Sequence, residues 1–180
     1  MILSRVLPAA AALLCLIQPL SAGEPRGLEP FRFLIGIWRS SGSGMPGGAS
    51  GSAEFSRALM DRVIVRNSVA EYPPAAGKAA YRHEDLMVVY VDTDSTIKAD
   101  YFDNEGHVIR YSVQSPAQGE AVFLSLSSPA APRYRLTYSL TSSGTLDGKF
   151  EIAPPGGAEN FATYLTWSSK ATDHRSTPEN

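Results

Sequence analysis

Three histidines, His83, His107 and His174, and one cysteine, Cys15, are all the imidazole and thiol chemistry in the 180-residue chain. With so few imidazoles a hydrolase triad has little room to form, and no Gly-x-Ser-x-Gly elbow occurs. The tripeptide His83-Glu84-Asp85 has metal-binding residue types, but neighbours along a strand point to opposite faces, so Glu84 cannot join the other two. On a shared face Phe102 would separate Asp85 from His107 by two strand spacings. That is roughly 9–10 Å, too far for zinc ligands that must each lie about 2 Å from the ion. Asp92-Thr-Asp-Ser-Thr96 begins like a calcium loop, yet Ile97 stands where a glycine is needed and Asp103 where the bidentate glutamate belongs. It reads as a hairpin turn. The glycine-rich stretch 42–51 lacks the Lys-Ser/Thr ending of a phosphate loop and reads as a connection. No catalytic set, metal or cofactor is expected.

The amino terminus carries a different kind of information. Arg5 precedes an apolar stretch from Val6 to Leu20, and Pro19-Leu-Ser-Ala22 places small residues before Gly23. This is the pattern of a secretory signal cleaved near Ala22, and the stretch falls short of the roughly 20 apolar residues of a membrane span. Cys15 lies inside that signal after Leu13 and Leu14, which does not fit a lipoprotein cleavage site. Removing residues 1–22 would leave a cysteine-free chain with 15 basic and 18 acidic residues. Such a chain is held by its core alone, without disulfides. Its mildly acidic balance and lack of a basic stripe argue against nucleic acid as a partner. The expected organisation is a signal at 1–22, one domain at 23–170 and a frayed polar tail at 171–180. The expected location is secreted or periplasmic, with no membrane span after cleavage. Oligomeric state is not legible.

Turn-forming clusters punctuate the remainder at short intervals, with alternating or β-branched runs between them. Strands are expected near 37–42, 51–59, 62–71, 82–92, 95–102, 107–114, 121–127, 134–140, 145–152 and 161–169. Ten short strands with tight turns and no helical spacers predict an all-β, antiparallel, up-and-down meander, a sandwich or a barrel. Leu28 to Leu34 reads as a short helix, with Pro30 suited to its first turn. Ser52 to Tyr72 lacks Gly and Pro, and its Phe55, Leu59 and Val63 fit a helical period. The Val63-Ile-Val65 run and a turn at Met60-Asp61 favour two strands instead.

If the loops after Val91 and Phe102 have even length, Val91 pairs with Thr96 and Phe102 with His107. One face of 83–113 then carries Glu84, Leu86, Val88, Tyr90, Ile97, Ala99, Tyr101, Val108 and Arg110. This face is the more continuously apolar and is placed inside; an odd loop would change the relation between faces. Arg110 would thus be an inward guanidinium in need of a partner. It meets either an anionic ligand group or, as the favoured reading, a carboxylate or water at a barrel end. Trp38, Tyr90, Tyr101 and Tyr138 are the aromatic cavity candidates, with core packing as their simplest role.

Phe33-Leu-Ile-Gly-Ile-Trp38 resembles the lipocalin-like (calycin) barrels, in which a short apolar helix leads into Gly-x-Trp on the first strand. Leu34-Ile-Gly-Ile-Trp38, Asp61-Arg-Val-Ile-Val65 and Tyr101-Phe-Asp-Asn-Glu-Gly106 resemble secreted bacterial lipocalin-like domains of unknown function. The resemblance covers roughly residues 31–170 and implies a barrel in which the Trp closes one end. It further implies a small, apolar or amphipathic ligand. Ten strands are also similar to the haem-binding nitrobindin-type barrels. The final strand, Phe161 to Ser169, has no histidine to serve as an axial ligand. A haem- or cofactor-carrying barrel, or an enzyme, is therefore the alternative.

Overall fold

The computed structural model describes residues 27–41, 48–75, 77–156 and 159–172. The expected signal at 1–22, residues 42–47 of the glycine-rich connection and residues 173–180 of the tail lie outside them. A 3-10 helix at Glu29–Leu34 is followed by β1 (Gly36–Ser41), β2 (Ser50–Ala58), β3 (Val63–Tyr72), β4 (Tyr81–Val91) and β5 (Ile97–Asp103). Then come β6 (Val108–Gln114), β7 (Glu120–Ser125), β8 (Arg133–Leu140), β9 (Thr145–Ala153) and β10 (Ala162–Ala171). Each strand pairs antiparallel with its neighbours in sequence, and β10 closes on β1. The fold is a closed ten-stranded meander barrel, consistent with the lipocalin-like architecture. Ser52 to Tyr72 is two strands, joined by a turn in which Leu59, Met60 and Asp61 all have positive φ.

Closure removes the unpaired edges an open meander would leave. Among the described residues the closing seam is short, with Trp38↔Ala171 and Arg39↔Lys170 in register. Side chains reinforce it. Ser40 and Ser169 share a buried 2.8 Å hydroxyl bond, and Thr172 donates its backbone N–H to Ile37 O at 2.9 Å. Buried Trp38 donates its indole N–H to Leu34 O at 2.7 Å, tying the seam to the helix. Trp38→Phe keeps a ring but leaves that carbonyl without its donor. It should cost about 1–3 kcal/mol in urea unfolding.

The helix plugs one end. Leu28, Phe31 and Leu34 are buried in the core, Glu29 reaches Arg57 near the end of β2, and Gly27 abuts Val91 at the end of β4. The middle of the barrel is filled with rings. Tyr138 meets Phe55, Phe123 and Trp167 edge-on, at centroid distances of 5.5, 6.2 and 5.9 Å. A side-chain-filled interior is common in small barrels.

The faces of β4 and β6 are the reverse of the sequence reading. Val91 pairs with Ile97 and Phe102 with Val108, so both intervening loops have five residues. Ser95 and Gly106 take positive φ near the end of each turn, as three-residue hairpin loops with a bulge require. Each odd loop inverts the face relation. Ile97, Ala99 and Tyr101 of β5 do point inward. On β4, however, His83, Asp85, Met87 and Val89 are the inward set, and on β6 Ile109, Tyr111 and Val113. Apolar content did not discriminate, because β4 carries Leu86 and Val88 on its outer face as well.

Candidate functional site

Arg110 consequently lies outside. Its side chain is 74% exposed, with Nε 3.9 Å from the Asp100 carboxylate. A solvated pair of this kind contributes little. Arg110→Met should leave unfolding stability within about 0.5 kcal/mol of wild type, the range of an unconstrained surface change. Tyr90 also faces outward, where its hydroxyl donates to Asp100 at 3.2 Å. Trp38 is a seam residue and Tyr138 the hub of the core. Of the five sequence-derived candidates, Tyr101 alone reaches the half-exposed end of the interior.

That end lies opposite the plug. Here inward-facing Ala70, Tyr101, Ile109, Tyr134, Phe150 and Leu165 keep part of their surface exposed. Tyr134 and Phe150 stack at 5.8 Å with an interplanar angle of 11°, and Tyr164 meets the edge of Phe150 at 6.3 Å. One wall of this mouth is therefore aromatic.

The facing wall is a chain of polar groups rooted in the core. Arg66, inward on β3 and only 5% exposed, donates to the Tyr138 hydroxyl and to Asp85 Oδ1, each at 2.5 Å. Its guanidinium lies 5.7 Å from the Tyr101 ring centre and 6.0 Å from that of Tyr138. The Arg66 Nε–H has no partner among the described residues. Asp85 Oδ2 lies 3.6 Å from His83 Nε2, beyond hydrogen-bond range but close enough for its charge to act. His83 Nε2 meets the Tyr101 hydroxyl at 3.1 Å, and Nδ1 meets Glu105 Oε1 at 2.9 Å. Tyr81 donates to the same Glu105 oxygen at 2.5 Å. Tyr101 donates to Asp103 at 3.2 Å, and His107 Nδ1 contacts the same carboxylate at 2.9 Å.

The electrostatics follow from this geometry. Burial disfavours a charged Arg66, but the Asp85 carboxylate outweighs it and the guanidinium stays firmly protonated. Burial likewise opposes ionised Asp85, and Arg66 and His83 overcome it, holding this carboxyl below its ordinary range. His83 is raised above the usual imidazole value, chiefly by Asp85, against burial and with help from Glu105. Burial, reinforced by Asp85, keeps the Tyr101 phenol protonated. The bond to Glu105 pushes Tyr81 up to about 12.

Sequence reasoning placed His83 and Asp85 on the outer wall and did not single out Arg66. The alternation Ile64-Val-Arg-Asn-Ser68, apolar at Ile64 and small at Ser68 and Ala70, was the available signal for an inward arginine. Among the described residues no group of three His, Cys, Asp or Glu is arranged to hold a metal. A concavity of about 600 Å³ lies on the outer wall over β1–β5. Its charged residues include Arg82, whose partners Glu71 and Glu84 are as exposed as it is. It is a solvated surface rather than an enclosed site. The chain matches no family model and no curated protein.

Proposed function

We propose that this barrel binds a small, largely apolar or amphipathic ligand at the mouth, without a chemical step, and that it does so outside the cytoplasm after removal of residues 1–22. The observation that carries the reading is the half-exposed inward wall of Tyr134, Phe150 and Leu165, facing a polar wall of His83 and Tyr101. Ligand sites combine such apolar lining with a few placed polar groups. The packed layer around Tyr138 sets the floor, so the ligand occupies the upper half of the interior. Arg66 is already neutralised by Asp85, so affinity comes mainly from the aromatic wall.

Native mass spectrometry of protein purified from its own compartment tests the reading. A retained mass is expected, lost in Phe150→Ala, together with an amino terminus at Gly23. A ligand-free spectrum from every preparation would leave a scaffold or interaction module in its place.

A further inference from the structure

Tyrosines crowd the mouth, and their placement follows from alternation and closure. Tyr72 at the end of β3 and Tyr81 at the start of β4 fall on the inward side, pair directly and hold their ring centres 6.0 Å apart. In a closed barrel of ten strands, those five places apart face each other, so β3 and β4 look across at β8 and β9. The Arg66–Tyr138 bond already spans that gap from β3 to β8. The Tyr72–Tyr81 pair therefore stands opposite the stacked Tyr134 and Phe150. Tyr101 follows on β5. Tyr164, at the irregularity in β10, comes near enough to Tyr72 for one phenol to oppose ionisation of the other.

The charges within this collar are mostly negative. Among the described inward-facing side chains from Arg66 to the mouth, Arg66 is the only permanent cation, and Asp85 neutralises it. Two further carboxylates remain. Asp103 accepts from Tyr101, and Glu105 reaches from the β5–β6 loop to inward-facing His83 and Tyr81. Their counter-charges are the imidazoles of His107 and His83, which are charged only when protonated. His83 feels the field that results: it holds its proton more firmly than a free imidazole, chiefly through Asp85, despite partial burial. An anionic headgroup here would meet two carboxylates and no unpaired permanent cation. A neutral one would gain only the apolar wall. A cation gains from the carboxylates and the rings together, because aromatic faces attract positive charge.

We propose that the ligand is an amphiphilic organic ammonium: its cationic end sits among the rings of Tyr72, Tyr81, Tyr101 and Tyr134 beside Glu105, and its apolar part lies against Phe150. This rests on the reading above that the mouth binds a small amphipathic molecule, and it names the chemistry of that molecule's polar end. Phe150 holds the chain of any such amphiphile, whereas the tyrosines and Glu105 tell a cation from an anion. Substituted ammonium ions suit such a site, since aromatic cages recognise them through the ring faces.

The test uses the protein purified from its own compartment and dialysed free of small molecules. Three probes share one chain length: octyltrimethylammonium, 1-octanol and octyl sulfate, each kept monomeric. Titration calorimetry at low salt should show the ammonium binding about tenfold more tightly than 1-octanol, the scale of a desolvated cation–π contact. Octyl sulfate should bind more weakly than 1-octanol. Tyr81→Leu should cut the preference for ammonium over octanol several-fold, since it removes a ring and keeps an apolar side chain. Glu105→Gln should also cut it and should strengthen octyl sulfate binding, both effects fading at high salt. Tyr81 is 43% exposed and the Glu105 side chain 45%, so both variants keep the fold, which urea unfolding checks. Glu84→Gln removes the same charge from the outer wall and should leave the preference unchanged. If none of the three probes binds, the ligand reading fails and this proposal with it. If 1-octanol or octyl sulfate binds as tightly as the ammonium, the mouth is a ligand site but the cationic class is wrong. The class is also overturned if Glu84→Gln lowers the preference as much as Glu105→Gln, or if Tyr81→Leu and Glu105→Gln both leave it intact. The attraction would then belong to the acidic surface at large.

Discussion

Asp85→Asn should destabilise the protein by about 3–5 kcal/mol, because it strands the Arg66 charge in the barrel interior. Both side chains are nearly sealed from water, at 5% and 7% exposure, and Asp85 is the only carboxylate bonded to Arg66 among the described residues. The remaining acceptor, the Tyr138 hydroxyl, offers no counter-charge. Water cannot readily replace the lost carboxylate, since the Arg66 guanidinium is buried, 5.7 Å and 6.0 Å from the ring centres of Tyr101 and Tyr138. The double change Arg66→Met with Asp85→Leu should recover most of the loss, because an apolar pair of similar volume avoids desolvating two charges. Urea unfolding at neutral pH measures both. Asp85 also carries a pH signature: its lowered proton affinity gives stability that is present above the ordinary carboxylate value and lost as pH falls through the lower folded value. The double variant should lack that acid component. An Asp85→Asn protein as stable as wild type would mean that Arg66 finds water, and the interior would then not be dry at this level.

Gly148→Ala should be the most damaging single-methyl change in the core. A Cβ at this position would stand 2.1 Å from Trp167 Cε2 and 2.2 Å from Cζ2, inside the van der Waals envelope of both atoms. Gly148 and Trp167 are directly paired on β9 and β10, and the indole occupies the space a Cβ at 148 would need. The indole is also held by an edge contact with buried Tyr138 at 5.9 Å, which restricts its retreat. Overpacking of this kind typically costs about 1–3 kcal/mol and occasionally more. The displacement should show as a change in near-ultraviolet circular dichroism, since Trp38 and Trp167 are the chain's only tryptophans. Gly148→Ala combined with Trp167→Leu should regain part of the stability by making room for the methyl. A wild-type unfolding midpoint and an unchanged aromatic spectrum in the single variant would contradict the close approach.

The ten strands, their order and the helix before β1 were legible in the chain because each depends on local chemistry. Turn residues mark the hairpins, β-branched runs mark the strands, and Pro30 with Phe31 and Leu34 marks the plug. Tyr101 was legible as an inward residue for the same reason, since Ile97, Ala99 and Tyr101 alternate with charged Lys98 and Asp100. Even Gly148 carried a signal, because a glycine inside a strand often marks the close approach of another group.

Which faces of β4 and β6 turn inward was decided by one residue in each of two loops. Alternation along a strand fixes which residues share a side but not which side is the core, and β4 is apolar on both. The five-residue loops at 92–96 and 103–107 put His83 and Asp85 inside and Arg110 outside. Closure did the rest. Bending the meander until β10 met β1 brought β3 and β8 across the interior from one another, and so placed Arg66 against Tyr138, 72 positions apart. Strand identity comes from short-range preference, whereas the polar chain from Tyr138 to Glu105 exists only because register and curvature bring distant strands face to face.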